Sequence, residues 1–157
     1  MRHSIRNKTQ GFTLIELIVT FAVLAVMASL AAPSLRDLLV AQRVKSTGYN
    51  IIGDLVRARS EAVKRGENVT ITPIAATWSN GWSVNVASSA ELLSKQGHVG
   101  SGVQFTTSPT SITFDRNGRT NVSTVVRLGF SNGGTHKRCI SLDPSGRPKN
   151  AKTDCPA

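Results

Sequence analysis

Residues 10–17 read QGFTLIEL, and they open the longest apolar run in a chain of 157 residues. From Phe12 to Ala32 the run is FTLIELIVTFAVLAVMASLAA, with Glu16 as its only charge. As a helix it extends roughly 30 Å, the thickness of a bilayer's hydrocarbon core. A carboxylate inside such a segment costs roughly 2.5–3.5 kcal/mol near a helix centre on insertion scales, so Glu16 calls for a partner. Arg2, Arg6 and Lys8 precede the run with no acidic residue among them. That bias keeps the N-terminus cytoplasmic and sends the rest of the chain across the membrane. An ordinary secretory signal is the competing reading, with small residues at Ser29 and Ala31 flanking Leu30 as a cleavage site requires. The length of the run and its buried carboxylate both speak against it.

Gly11-Phe12-Thr13-Leu14-Ile15-Glu16-Leu17 resembles the processing motif of type IV prepilins and type II secretion pseudopilins: a short basic leader ending in Gly, then Phe, then Glu as the fifth mature residue. The resemblance implies that a prepilin peptidase cuts between Gly11 and Phe12 and methylates the new amine of Phe12. Residues 12–32 then remain as an inner-membrane anchor and later as the filament core. It also implies that Glu16 pairs with the N-terminal amine of a neighbouring subunit on assembly. The physics agrees, because opposite charges attract strongly in a low-dielectric medium and an unpaired one is penalised.

Pro33 can kink or end the helix. Residues 33–66 have helical spacing with mixed polarity, through Leu35, Leu38, Leu39, Ile52, Leu55, Val56, Ala62 and Val63. Gly48 and Gly53 weaken the middle of this amphipathic helix, and Gly66 is a natural C-cap. Glu61 stands four residues before Arg65, so the cations Arg57, Arg59, Lys64 and Arg65 read as a solvated, partly paired face. From residue 67 the pattern is that of strands and turns. The predicted strands are residues 68–74, 82–87, 111–115, 122–130 and 137–142, separated by Ser-Asn-Gly, Arg-Asn-Gly and Asn-Gly-Gly signals. The expected fold is α+β: a long N-terminal helix, transmembrane in its first half and amphipathic in its second, packed on antiparallel sheet. The segment ARSEAVKRG at residues 58–66 followed by Val69-Thr70-Ile71, with Asn80-Gly81-Trp82 and FDRNGR at residues 114–119, is similar to the GspH/FimT group of minor pilins and pseudopilins.

The composition is basic, with 19 Lys plus Arg against 9 Asp plus Glu and a formal net charge of +10. Removing the leader's three cations leaves +7. Such a balance favours anionic partners. Between Lys137 and Cys155 lie Lys137, Arg138, Arg147, Lys149 and Lys152 against Asp143 and Asp154. Cys139 and Cys155, both beyond the membrane segment, most simply form one disulfide, which stabilises by roughly 3 kcal/mol in the chain-entropy model. Two cysteines and the nearby His136 without a C-x-x-C pair fall short of a structural zinc set. Asp143-Pro144-Ser145-Gly146 is a turn signature, and a turn pinned by a disulfide holds Arg147 and Lys149 outward for a phosphate backbone.

Gly146-Arg147-Pro148-Lys149 resembles the basic C-terminal motif Gly-Arg-x-Arg of FimT-type minor pilins that bind DNA in natural transformation. Lys149 stands in place of the second Arg, keeping the charge and losing the bidentate fork. The resemblance implies a DNA-binding surface of Lys137, Arg138, Arg147, Lys149 and Lys152, with little sequence preference. The alternative is a structural minor pilin, or a GspH-like pseudopilin of type II secretion, that assembles without touching DNA. Trp78 and Trp82 read as core rather than as base-stacking platforms. No catalytic motif is present, and His3, His98 and His136 are scattered, so neither enzymatic activity nor a cofactor is expected.

Overall fold

The computed structural model describes residues 12–156, so the leader and the predicted cleavage residue Gly11 lie outside the described residues. The chain divides into two compact units, one ending at Asp37 and one beginning at Leu38. A single helix, α1 (Leu14–Arg65), supplies the described part of the first unit and the start of the second, and it continues through Pro33 without ending there. Proline there removes one backbone donor and crowds the preceding turn.

The helix begins with a cap. Thr13 Oγ1 accepts the Glu16 backbone N–H at 3.3 Å, which leaves Glu16 in the first turn, where a carboxylate complements the partial positive charge of the helix start. Glu16 therefore stands at the end of the apolar segment and not near its centre. That position lowers the penalty assigned to it above. The 18-residue apolar window of α1 has a mean hydropathy of 2.4 and is fully exposed, long and apolar enough to cross a membrane.

In the second unit, α1 buries Val44, Thr47, Gly48, Ile51, Leu55, Ala58 and Ala62, a stripe with spacings of three and four. Leu55 and Ala62 are as the periodicity suggests, whereas Leu38, Leu39, Val56 and Val63 are exposed. Gly48 lies on this buried stripe, where an added Cβ would meet the Phe130 ring at 3.5 Å, an ordinary contact distance. At the C-terminus Gly66 adopts φ +68° and Gly66 and Glu67 both donate to the Ala62 carbonyl, so the helix ends at its expected glycine.

Eight strands follow: β1 (Val69–Pro73), β2 (Trp82–Val86), β3 (Leu92–Gln96), β4 (Gln104–Thr107), β5 (Ile112–Phe114), β6 (Val126–Ser131), β7 (Lys137–Leu142) and β8 (Pro148–Ala151). They form two antiparallel four-stranded sheets with the orders β3-β2-β1-β5 and β4-β6-β7-β8. Five strands match the sequence expectation in place. The predicted strand at residues 122–130 starts only at Val126, and β3, β4 and β8 were not predicted. One core joins the α1 stripe to both sheets through Val69, Ile71, Trp82, Val84, Phe114, Leu128, Phe130, Ile140 and Leu142. Trp78 and Trp82 belong to it at 3% and 1% exposure. Their indole N–H groups are satisfied inside, by the Pro109 carbonyl at 2.7 Å and by Asp54 Oδ2 at 2.7 Å. Neither ring is available to stack on a base.

Candidate anion-binding turns

The C-terminal cations sit on or beside β7 and β8, so the sheet register decides which of them meet. In β7, Ile140 and Leu142 face the core, and Arg138, level with Phe130 of β6, shares their side. Arg138 and Lys152 line a cleft of about 150 Å³ with Ala41 and Val44 of α1, together with residues 135–137. Lys149 has the opposite orientation. It pairs with Ser141, which pairs in turn with Arg127, so Arg127, Ser141 and Lys149 form one cross-strand row on the outer face. Lys137 is engaged in an ion pair with Asp154 at 2.6 Å. The five cations thus fall into three settings: Arg138 with Lys152 beside the helix, Lys137 paired, and Arg147 with Lys149 at and after the turn.

Cys139 and Cys155 form a disulfide with a Cα–Cα distance of 5.0 Å, so neither sulfur is a thiolate ligand for a metal. The bridge ties the segment after β8 back to β7. It lies over Gly129, where an added Cβ would be 3.3 Å from Cys155 Sγ and 2.9 Å from Thr106 Oγ1.

The turn at residues 143–147 is built around Asp143. Its carbonyl accepts the Gly146 N–H at 2.8 Å, and its Oδ1 accepts the Arg147 N–H at 3.0 Å and the Ser145 hydroxyl at 2.6 Å. These bonds, that from Ser145 first, hold the Asp143 carboxyl below the usual carboxylate range. Gly146 is buried with φ +78°, and a Cβ there would stand 2.2 Å from the Gly118 carbonyl oxygen. Only glycine fits. Arg147, the next residue, is exposed.

Gly118 belongs to a second turn of the same build, at residues 115–119, which the sequence marks as a turn but whose arginines lie outside the expected binding surface. Here the Gly118 N–H reaches the Asp115 carbonyl at 2.8 Å, and the Arg119 N–H reaches Asp115 Oδ1 at 2.8 Å. Gly118 is buried with φ +71°, while Arg116 and Arg119 are exposed. The signal was present as a repeat: Asp115-Arg-Asn-Gly-Arg119 and Asp143-Pro-Ser-Gly-Arg147 share Asp-x-x-Gly-Arg. The two turns touch, because the Thr120 N–H donates to the Pro144 carbonyl at 3.2 Å and Arg59 Nε of α1 donates to the Gly118 carbonyl at 3.0 Å. Arg59 is therefore a structural strut. Arg65 is likewise occupied, by Glu61 at 2.8 Å and by both oxygens of Glu91, which bears out the paired helix face.

Residues 49–146 match the family model of the Type II transport protein GspH, and residues 6–32 match the Prokaryotic N-terminal methylation motif. The chain belongs to the GspH family. It is a minor pilin or pseudopilin of the GspH/FimT type, with one long N-terminal helix and antiparallel sheets in the type IV pilin fold. Its fold is similar to the type IV minor pilin FimU of Pseudomonas aeruginosa PAO1 in two crystal forms. In space group P21 the TM-score is 0.61 at 25% identity, covering 69% of this chain and 87% of FimU. In P65 it is 0.57 at 25% identity, covering 68% and 91%. No curated protein matches the chain. The apolar helix and the methylation motif fit a membrane-anchored pilin, whose family partners are other pilin subunits and the prepilin peptidase.

Proposed function

We propose that this minor pilin binds DNA through its basic C-terminal turn and serves DNA uptake in natural transformation. The observation that carries the reading is the turn at residues 143–147, hydrogen-bonded around Asp143 and wedged by buried Gly146, from which exposed Arg147 and Lys149 follow. Cations on a rigid turn lose little conformational entropy when they meet phosphate. Arg138 and Lys152 extend the positive field around this centre, and Lys137 joins them once DNA phosphate competes with Asp154 for its ammonium. Residues 12–32 anchor the subunit in the inner membrane after cleavage at Gly11 and methylation of Phe12, with the globular part periplasmic. In the filament at the cell surface, Glu16 neutralises a neighbour's terminal amine.

Mobility shift of a DNA duplex by the full-length chain in nonionic detergent tests the reading. Engagement of all five cations gives a log–log salt slope of about −4.5, and absence of retardation at low salt sinks DNA binding. In cells, charge reversal at Arg147 and Lys149 abolishes transformation and spares pili. The family description, a type II transport protein, favours a second reading in which the subunit only initiates a pilus or pseudopilus. In that case the same reversal leaves transformation intact or removes filaments as well. Glu16→Ala separates anchoring from assembly: the expected result is a membrane-retained subunit missing from filaments.

A further inference from the structure

We infer that the phosphate-binding surface is a twin-turn clamp, in which the Arg119 turn contacts DNA together with the Arg147 turn. This inference rests on the DNA-binding reading and assigns that site a second half. The two turns share a sequence pattern, a backbone hydrogen-bond pattern and a burial pattern. In each, the Asp N–H also donates to the carbonyl of the Arg four residues on, at 2.8 Å for Asp115 and 3.3 Å for Asp143. Each buries its glycine and exposes the arginine that follows.

The packing makes them one object. Gly146 approaches the Gly118 carbonyl so closely that no side chain fits between, and Arg59 fixes that carbonyl from below. Bond lengths along this contact put the Arg119 and Arg147 Cα atoms within about 11 Å of each other. Arginine side chains from two points this close reach neighbouring phosphates of one duplex. Among the described residues neither guanidinium has an ion-pair or hydrogen-bond partner, in contrast to Arg59 and Arg65, which the fold occupies. Arg116 on the same turn adds a third exposed cation. A single basic loop would owe its affinity to the C-terminal cations alone, with nothing from the Arg119 turn. The twin-turn arrangement predicts that the more distant half in sequence contributes equally.

Fluorescence anisotropy of a labelled DNA duplex with the full-length protein in nonionic detergent reads this out. Arg119→Ala and Arg147→Ala each weaken binding about tenfold, the loss of one charge-assisted phosphate contact, and each reduces the salt slope by about 0.9. Arg119→Lys keeps the salt slope of the wild type, and thermal unfolding of all three variants is unchanged. Lys95→Ala, on β3 at the opposite edge of its sheet from β5, weakens binding less than about twofold as a pure field effect. If Arg147→Ala weakens binding while Arg119→Ala behaves like Lys95→Ala, the clamp is overturned and the C-terminal turn stands alone. If wild-type protein fails to bind the duplex at low salt, the DNA reading falls and the clamp with it.

Discussion

The two sheets have equal strand numbers and the same antiparallel pairing, yet they are held by different means. The sheet β3-β2-β1-β5 is fastened from within. Trp82 is buried at 1% exposure, and Asp54 of α1 takes its indole N–H on Oδ2 and the Ser94 hydroxyl of β3 on Oδ1 at 3.0 Å. The sheet β4-β6-β7-β8 has core residues on β6 and β7, but its edge strands β4 and β8 are largely exposed. There the fastening is covalent and at the margin, through the Cys139–Cys155 bridge. The lesson is that both sheets pack on α1, but packing alone secures the sheet β3-β2-β1-β5, whereas a staple adds to it at the strand next to the cations. A strand held this way needs no apolar side chains at its outer positions, and one of them is Lys149.

The sharpest way to break this contrast is to empty the packed sheet. Trp82→Ala removes a buried indole and leaves Asp54 Oδ2 without its donor, so a loss of about 3–5 kcal/mol is expected, read as the denaturant midpoint. An effect below about 1 kcal/mol would mean that the first sheet, too, is held at its margin. Next in size is the staple. Cys139→Ser with Cys155→Ser costs about 3 kcal/mol in the chain-entropy model. Hydrogen exchange should show the loss concentrated in β8, with the amides of β1 and β2 keeping their protection relative to global unfolding.

How much of this was legible beforehand follows the same division. The prepilin motif, the Gly66 cap, the cysteines and the Asp143 turn each depend on residues close together or on chemistry specific to a residue type. The central strands β1, β2, β6 and β7 carried apolar alternation because one face of each meets the core. The three missed strands, LLSKQ, QFTT and PKNA, are all edge strands with mostly exposed or half-exposed positions, so no hydrophobic period marks them. The helix face misled for a related reason. Val56 and Val63 repeat at helical spacing as well as Leu55 and Ala62 do, and only the sheets decide which stripe is buried. The Asp-x-x-Gly-Arg repeat was on the page, but its meaning depends on a contact between residues 118 and 146 that linear distance conceals.

Asp143 separates a built turn from a mere accumulation of charge. Asp143→Ala makes the chain more positive, so a purely Coulombic patch would bind DNA more tightly. A pre-organised turn loses its anchor for the Arg147 N–H, and affinity should fall about threefold. The pH dependence has a definite sign. Since the folded carboxyl sits below its ordinary range, its contribution is complete above that range and disappears as pH falls through the lowered value. The turn should therefore hold unchanged from about pH 5 to 8 and loosen only below about pH 4, seen as a loss of Gly146 and Arg147 amide protection that Asp143→Ala no longer shows.

The smallest expected effect tests what kind of contact the staple supports. Lys149 lies in the cross-strand row with Ser141 and Arg127 on the outer face of the second sheet, so its contribution is set by side-chain chemistry and not by core packing. Lys149→Arg leaves the charge, and with it the number of released counterions, unchanged; the salt slope should stay constant. What changes is the donor geometry, from a point charge to a planar fork that grips two phosphate oxygens. Affinity should rise by about two- to threefold at every salt concentration, with stability unaltered because the position is exposed. A parallel upward shift of the binding curves identifies direct phosphate contact at β8. No shift at all would mean that Lys149 acts only through the field, and would move the contact surface toward the arginines of the turns.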